Sequence, residues 1–174
     1  LGVLMTGLLS VISLTIANLV GERETAVRYQ AANLAREGIE LVRNMRDSNW
    51  LKGDLAFNNM PEGENIAIQF NPKTQEFAFV SGDGSSNDAR VTQCEDGTYI
   101  QSSSSICDKS TPFSRTLNFT FKTCNDEFSG DEFVGLCDAV GGSGTLVAVE
   151  VSSIVTWNQG AKNITISDKL YDWR

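Results

Sequence analysis

Cys94, Cys107, Cys124 and Cys137 are the four cysteines of the chain, and twelve residues separate the first pair as they do the second. Thiols at such spacing form disulfides, ligate zinc or stay reduced. A four-thiolate zinc site usually draws on CxxC-like pairs, which are missing here. Two local bridges, Cys94–Cys107 and Cys124–Cys137, are therefore expected, although four cysteines allow three pairings. Each closed loop would contribute ~3 kcal/mol in the chain-entropy model. The chain has no histidine. Ser-His-Asp and Cys-His catalysis, HExxH zinc sites and histidine pH switching are thereby excluded.

The other reactive-looking groups are isolated. Asp83, Asn87 and Asp88 resemble a calcium loop, but no acidic residue closes it at EF-hand spacing, so a solvated turn is expected. Glu62 and Glu64 form a carboxylate pair in turn-like surroundings. Gly141, Gly142, Ser143 and Gly144 lack the Lys-Ser/Thr of a phosphate loop and read as linker, and the serines at 102–105 read as a loop tip. Asn118-Phe119-Thr120 and Asn163-Ile164-Thr165 match the short glycosylation sequon. The expectation is a protein with no catalytic, cofactor-binding or metal-binding residues, no small-molecule substrate and no enzymatic activity.

Length and charge describe the body that carries these groups. The 174 residues suffice for one ordinary domain, and 41% are hydrophobic, enough for a core. Charge is divided unevenly: residues 22–52 hold six basic and five acidic side chains, and residues 53–174 hold eight and seventeen, a net of -9. Such an acidic head is a poor nucleic-acid surface.

Residues 1–21 carry no charge and no proline, and thirteen of the first twenty are Leu, Val, Ile, Met or Ala. A bilayer core needs ~20 apolar residues as helix, which this run just supplies. It lacks the basic start and the A-x-A-like site of a signal peptide. A membrane or helix-bundle segment is therefore expected, ahead of the plainer alternative of a buried helix in a globular core. Residues 22–52 continue the helix, with Val27, Ala31, Leu34, Gly38, Leu41, Val42 and Met45 on one stripe. Asn33, Arg36, Glu40 and Arg43 lie opposite, and Glu24–Arg28, Arg36–Glu40 and Arg43–Asp47 have ion-pair spacing. Gly38 costs ~1 kcal/mol against Ala in a helix, so its place on the stripe predicts a close neighbour. Asp47-Ser48-Asn49 and Gly53 read as the stop. A helix of about fifty residues is some 75 Å long, and no small domain buries such a rod end to end.

Beyond Gly53 the period changes to two. Strands are predicted at 65–70 and 76–80 around the turn Asn71-Pro72-Lys73-Thr74, with weaker ones at 89–93 and 98–101. Residues 115–122 alternate Leu117, Phe119 and Phe121 on one face. The longest run, 145–157, turns at Asn158-Gln159-Gly160 into 162–167. The predicted fold is α+β: a long N-terminal helix whose C-terminal half packs on an antiparallel β-sheet head.

The stretch AANLAREGIELVRNMRDSNWLKG (31–53) resembles the helix end of bacterial type IV pilins and prepilin-like proteins. The tail VEVSSIVTWNQGAKNITISDKLYDWR (149–174) resembles their closing hairpin, particularly in minor-pilin-like sequences. That resemblance implies a helix at 1–52, with 1–21 as its membrane or filament-core segment, and an extracellular β-rich head at 53–174. It implies a structural subunit of a type IV pilus, polymerised through its hydrophobic helix and serving adhesion, twitching motility or DNA uptake. Leu4, Leu8, Leu9, Ile12, Leu14, Ile16 and Leu19 would hold the polymer together, with Gly2, Gly7 and Ser10 admitting close neighbours. Its partners would be further copies, other pilins and, before assembly, the inner membrane; its place would be the cell surface. No cofactor is implied. The family's G-F-T-L-I-E-type processing signal has no counterpart here, and Leu1 falls inside the apolar run, so the mature subunit is expected to begin upstream. Two alternatives share the sequence features: a pseudopilin of a type II secretion system, and a membrane-anchored extracellular binding domain.

Overall fold

The computed structural model describes residues 2–71, 74, 76–81, 88–101, 107, 109–124 and 145–172. One helix, α1 (Gly2–Lys52), precedes seven strands: β1 (Gly63–Asn71), β2 (Glu76–Ser81), β3 (Arg90–Gln93), β4 (Tyr99–Gln101), β5 (Lys109–Thr123), β6 (Leu146–Trp157) and β7 (Lys162–Tyr171). Pro72 and Lys73 of the first predicted turn, Asp83, Asn87, the serines at 102–105, Cys137 and the glycine-rich run 141–144 lie outside the described residues.

The 51 residues of α1 contain no proline, and nothing interrupts the helix until Gly53. There the chain turns left-handed, at φ +81°, as glycine allows without strain. The Gly53 N–H donates to Trp50 O and the Asp54 N–H to Asn49 O, which satisfies two of the last helical carbonyls. The Asn49 side chain then donates to the Ala56 and Asn58 carbonyls and holds the exit turn against the helix.

Every strand pairing is antiparallel, and β5 is the hub of the sheet. One edge of β5 pairs with β6 from Ser114 to Thr123. The other edge takes β3 near its start (Gln93↔Lys109, Arg90↔Ser114) and β1 near its end (Ile66↔Leu117). β2 extends the sheet beyond β1, β4 beyond β3, and β7 beyond β6. The predicted turn at Asn158-Gln159-Gly160 joins β6 to β7 with three successive positive φ angles.

The second half of α1 lies across β5, β6 and β7. Period-two alternation turns Leu117, Phe119, Val149, Val151 and Leu170 toward it, where they enclose Ile39 and Val42. A second cluster, with Ala31, Leu34 and Ala35 under Phe113, Val155 and Trp157, sits nearer the helix middle. The layout is α+β, with a helix laid on one face of an antiparallel sheet.

Two strands run furthest past their predicted ends. β5 begins at Lys109 rather than 115, and β7 continues to Tyr171 rather than stopping at 167. The fully buried helix residues are Ala31, Leu34, Ala35, Gly38, Ile39, Val42 and Arg46, whereas Val27, Leu41 and Met45 are only partly covered. The stripe is rotated slightly from its predicted line because the helix crosses three twisted strands.

Candidate assembly surface

The two halves of α1 differ in what surrounds them. Residues 2–23 are all exposed, and Leu4, Leu8, Leu9, Ile12, Leu14, Ile16 and Leu19 are among the large apolar side chains left open. Leu9 is 62% and Leu14 65% accessible. A Cβ added at Gly2 or Gly7 would meet nothing within 4 Å, so both glycines present open backbone on the rod. Three of the four hydroxyls here bond back to the helix: Thr6 donates to Val3 O at 3.0 Å, Ser10 to Thr6 O and Thr15 to Val11 O at 2.9 Å each. Bonding back to the helix lets these residues enter an apolar medium without an unpaired donor. This helix is long and apolar enough to cross a membrane.

The sheet takes hold of the helix at Glu24, which pairs with Lys162 at the start of β7. Further along, Arg43 bonds both Glu40 and Asp168, and the Asp168 bond is the main cause of a raised Arg43 pKa. Asp47 pairs with Arg46, which stacks over Trp50 at 4.5 Å from the ring centroid. The ion pairs expected from i,i+4 spacing along the helix are thus replaced at Glu24 and Arg43 by partners on β7, and at Asp47 by its neighbour Arg46.

Gly38 sits at the closest approach. A Cβ there would lie 2.5 Å from Ser153 Oγ and 3.2 Å from Arg115 Cδ. Ser153 is fully buried, and its hydroxyl has no partner among the described residues. Arg115 is 2% exposed, on the same face as Leu117 and Phe119. Its Nε donates to Gln101 Oε1 at 2.8 Å, and one terminal nitrogen donates to Leu34 O at 3.1 Å and lies 3.4 Å from Glu37 Oε1. Burial pushes the Arg115 pKa down, and the Glu37 carboxylate partly restores it. Gln101 completes the bracket by donating to the Ala89 and Arg115 carbonyls at 2.9 and 2.7 Å.

The residues singled out for chemistry lie apart from this junction. Glu62 and Glu64 are exposed, and Asp88 accepts a bond from Gln69 at 2.7 Å. Asn118 uses its side-chain oxygen to accept the Asn65 N–H, and Asn163 is exposed on β7. Cys94 and Cys107 form a disulfide with Cα atoms 4.5 Å apart. Cys124 is disulfide-bonded as well; its expected partner, Cys137, lies outside the described residues. Among the described residues, no group of three or more His, Cys, Asp or Glu side chains could hold a metal ion.

Arg115, Gln101, Ser153 and Arg46 are the junction residues that sequence reasoning missed. Arg115 and Ser153 left a signal, since alternation puts each on the apolar face of its strand. Comparison with protein-family models, with curated proteins and with solved structures returned no match.

Proposed function

We infer that the chain is a structural subunit that polymerises through the exposed half of α1 into a filament of the type IV pilus kind, displayed at a cell surface. One observation carries this reading: residues 2–23 project beyond the sheet with their apolar side chains uncovered. An apolar surface of this size does not stay in water. Lipid would cover it before assembly, and the helices of other copies or related subunits afterwards. The head, gripped only from Glu24 onward, would form the filament's outside. Adhesion, motility and DNA uptake are all compatible with such a fibre. A building block of this kind needs no catalytic centre, cofactor or small-molecule substrate.

Electron microscopy of the purified full chain tests the reading. Filaments should form as detergent is removed, persist in molar salt and dissolve when detergent returns. A short, sparse filament would favour the pseudopilin variant of the same architecture. The capacity of α1 to cross a membrane supports a second reading, a membrane-anchored extracellular domain. That reading gains if the protein stays monomeric with its helix in lipid.

A further inference from the structure

Three contacts in series connect the Cys94–Cys107 bridge to the middle of α1. The loop it closes contains the whole of β4, which has three residues and, among the described residues, is laddered to β3 through Val91↔Gln101, Thr92↔Ile100 and Gln93↔Tyr99 and also lies near β1. A strand this short at a sheet edge is held weakly by its own ladder. Its start is fixed by a tight turn, in which the Cys94 N–H donates to Thr98 O and the Gly97 N–H to Cys94 O. The bridge joins Cys94, the residue after β3, to Cys107, just before β5 begins at Lys109, the register partner of Gln93. The bridge thereby pins both ends of the loop to the β3–β5 ladder.

Gln101 is the last residue of β4 and is 2% exposed. Its side chain bonds inward, to Ala89 O, Arg115 O and Arg115 Nε, with a longer contact to Asp88 O at 3.5 Å. Arg115 in turn holds the helix at Leu34 O and Glu37, with its Cδ lying across the gap left by Gly38. A buried guanidinium needs its donors matched, and losing one acceptor is strongly unfavourable. If β4 moves, Arg115 loses Gln101 and must turn toward water, abandoning Leu34.

We propose that the Cys94–Cys107 disulfide is a redox latch for helix docking: closing it seats Gln101, Gln101 seats Arg115, and Arg115 fastens α1 to the sheet. The chemistry is thiol–disulfide exchange with a disulfide-bearing oxidant. One cysteine thiolate attacks the oxidant's disulfide to give a mixed disulfide, and the second thiolate displaces the oxidant's remaining sulfur. The two cysteines lose two electrons and two protons, and the oxidant leaves as its dithiol. Such oxidants work outside the reducing cytoplasm. The biological use of the latch rests on the filament reading, since it would dock the helix only after the head is exported. The coupling itself stands apart from polymerisation and is measured on monomers.

Hydrogen exchange on the full chain in detergent micelles tests it. Paired Cys94→Ser and Cys107→Ser substitutions leave the other disulfide in place. They should raise exchange about tenfold at the amides of residues 38–42, the size of effect expected for one buried hydrogen bond. Gln101→Ala should produce the same rise, and the combined variant no further one. In an Arg115→Met background, which needs no acceptor, breaking the bridge should leave the helix amides unchanged. Faster exchange confined to 90–107, or helix effects that add independently of Gln101, would overturn the latch. If the cysteine-free pair fails to fold, recovery of folding by Arg115→Met supports the coupling. Failure in both backgrounds assigns the bridge to head stability alone and refutes it. Loss of filaments with the exchange pattern intact would count against the filament reading only.

Discussion

The first and second halves of α1 belong to one unbroken helix but bury their side chains by different rules. From Val3 to Val20 the large apolar residues point in all directions and are left exposed. From Ala31 to Arg46 the buried positions keep to one side and are mostly small or medium, with Ala31, Ala35 and Gly38 directly beneath the sheet. A helix that is apolar all round requires an apolar environment on every side, whereas an amphipathic one needs only a single face. The second half is therefore satisfied within its own chain and the first half is not. Backbone continuity turns the docked half into a rigid mount for the undocked one.

The most drastic way to break this division is a charge in the exposed half. Leu9→Arg should abolish polymerisation outright, because an arginine at the centre of an apolar helix costs about 2.5–3.5 kcal/mol in a membrane-like environment. The head should keep its wild-type unfolding transition in detergent, since no contact of Leu9 reaches the sheet. Micrographs and thermal unfolding of the same preparation check both halves of the statement. A variant that still forms filaments, or one whose head unfolds early, would mean that the halves are not independent.

The converse experiment weakens the head and leaves the exposed half untouched. Cys94→Ser should lower stability by ~3 kcal/mol, the chain-entropy value for a loop of this length, and leave a free thiol at Cys107 for labelling. Reductant should likewise lower the unfolding temperature. A thiol appearing at Cys124 instead would show that the bridges exchange partners.

How well the two halves could be read beforehand follows from where their determinants lie. The end of α1 was readable because Gly53 acts locally, and the strands because alternation is local too. The extra length of β5 was hidden by Pro112, which breaks the strand pattern. In the sheet it sits beside the register irregularity between Arg90 and Thr92, and beyond the last β5 pairing of β6 at Ser114. The end of β7 was hidden because Asp168 interrupts its apolar positions; its reason for facing the helix is Arg43, 125 residues away. Gly38 could be marked as a close approach, but neither Ser153 nor Arg115 could be named as what approaches. Strand order was unreadable for the same reason, since β5 shares one edge between two hairpins. That the first half is an uninterrupted apolar helix was legible because composition alone carries that message.

Gly38→Leu sharpens the comparison at the tightest point of the docked half. The new side chain starts 2.5 Å from Ser153 Oγ, and Ser153 belongs to a central strand that cannot easily move. Overpacking of this kind costs about 1–3 kcal/mol. Urea unfolding in detergent should register the loss. The equivalent change at Gly7, which has open space around it, should leave head stability unchanged and affect only assembly. Equal effects at the two glycines would erase the distinction drawn between the halves.

The smallest expected effect marks the boundary itself. Glu24 and Lys162 form the first tie between helix and sheet, but both side chains are over two-fifths exposed, at 43% and 44%. Water and salt screen such a pair, so its coupling should be at most about 1 kcal/mol and should fade as salt rises. A double-mutant cycle with Glu24→Gln and Lys162→Gln measures that coupling at low and at molar salt. The unfolding transition should barely move, while exchange of the helix amides just after Glu24 should quicken in either variant, shifting the start of the docked half toward Val27 and Ala31. A coupling of several kcal/mol that persists in molar salt would instead make this pair a principal anchor, and the docked half would then begin with charge rather than with the packing of small residues.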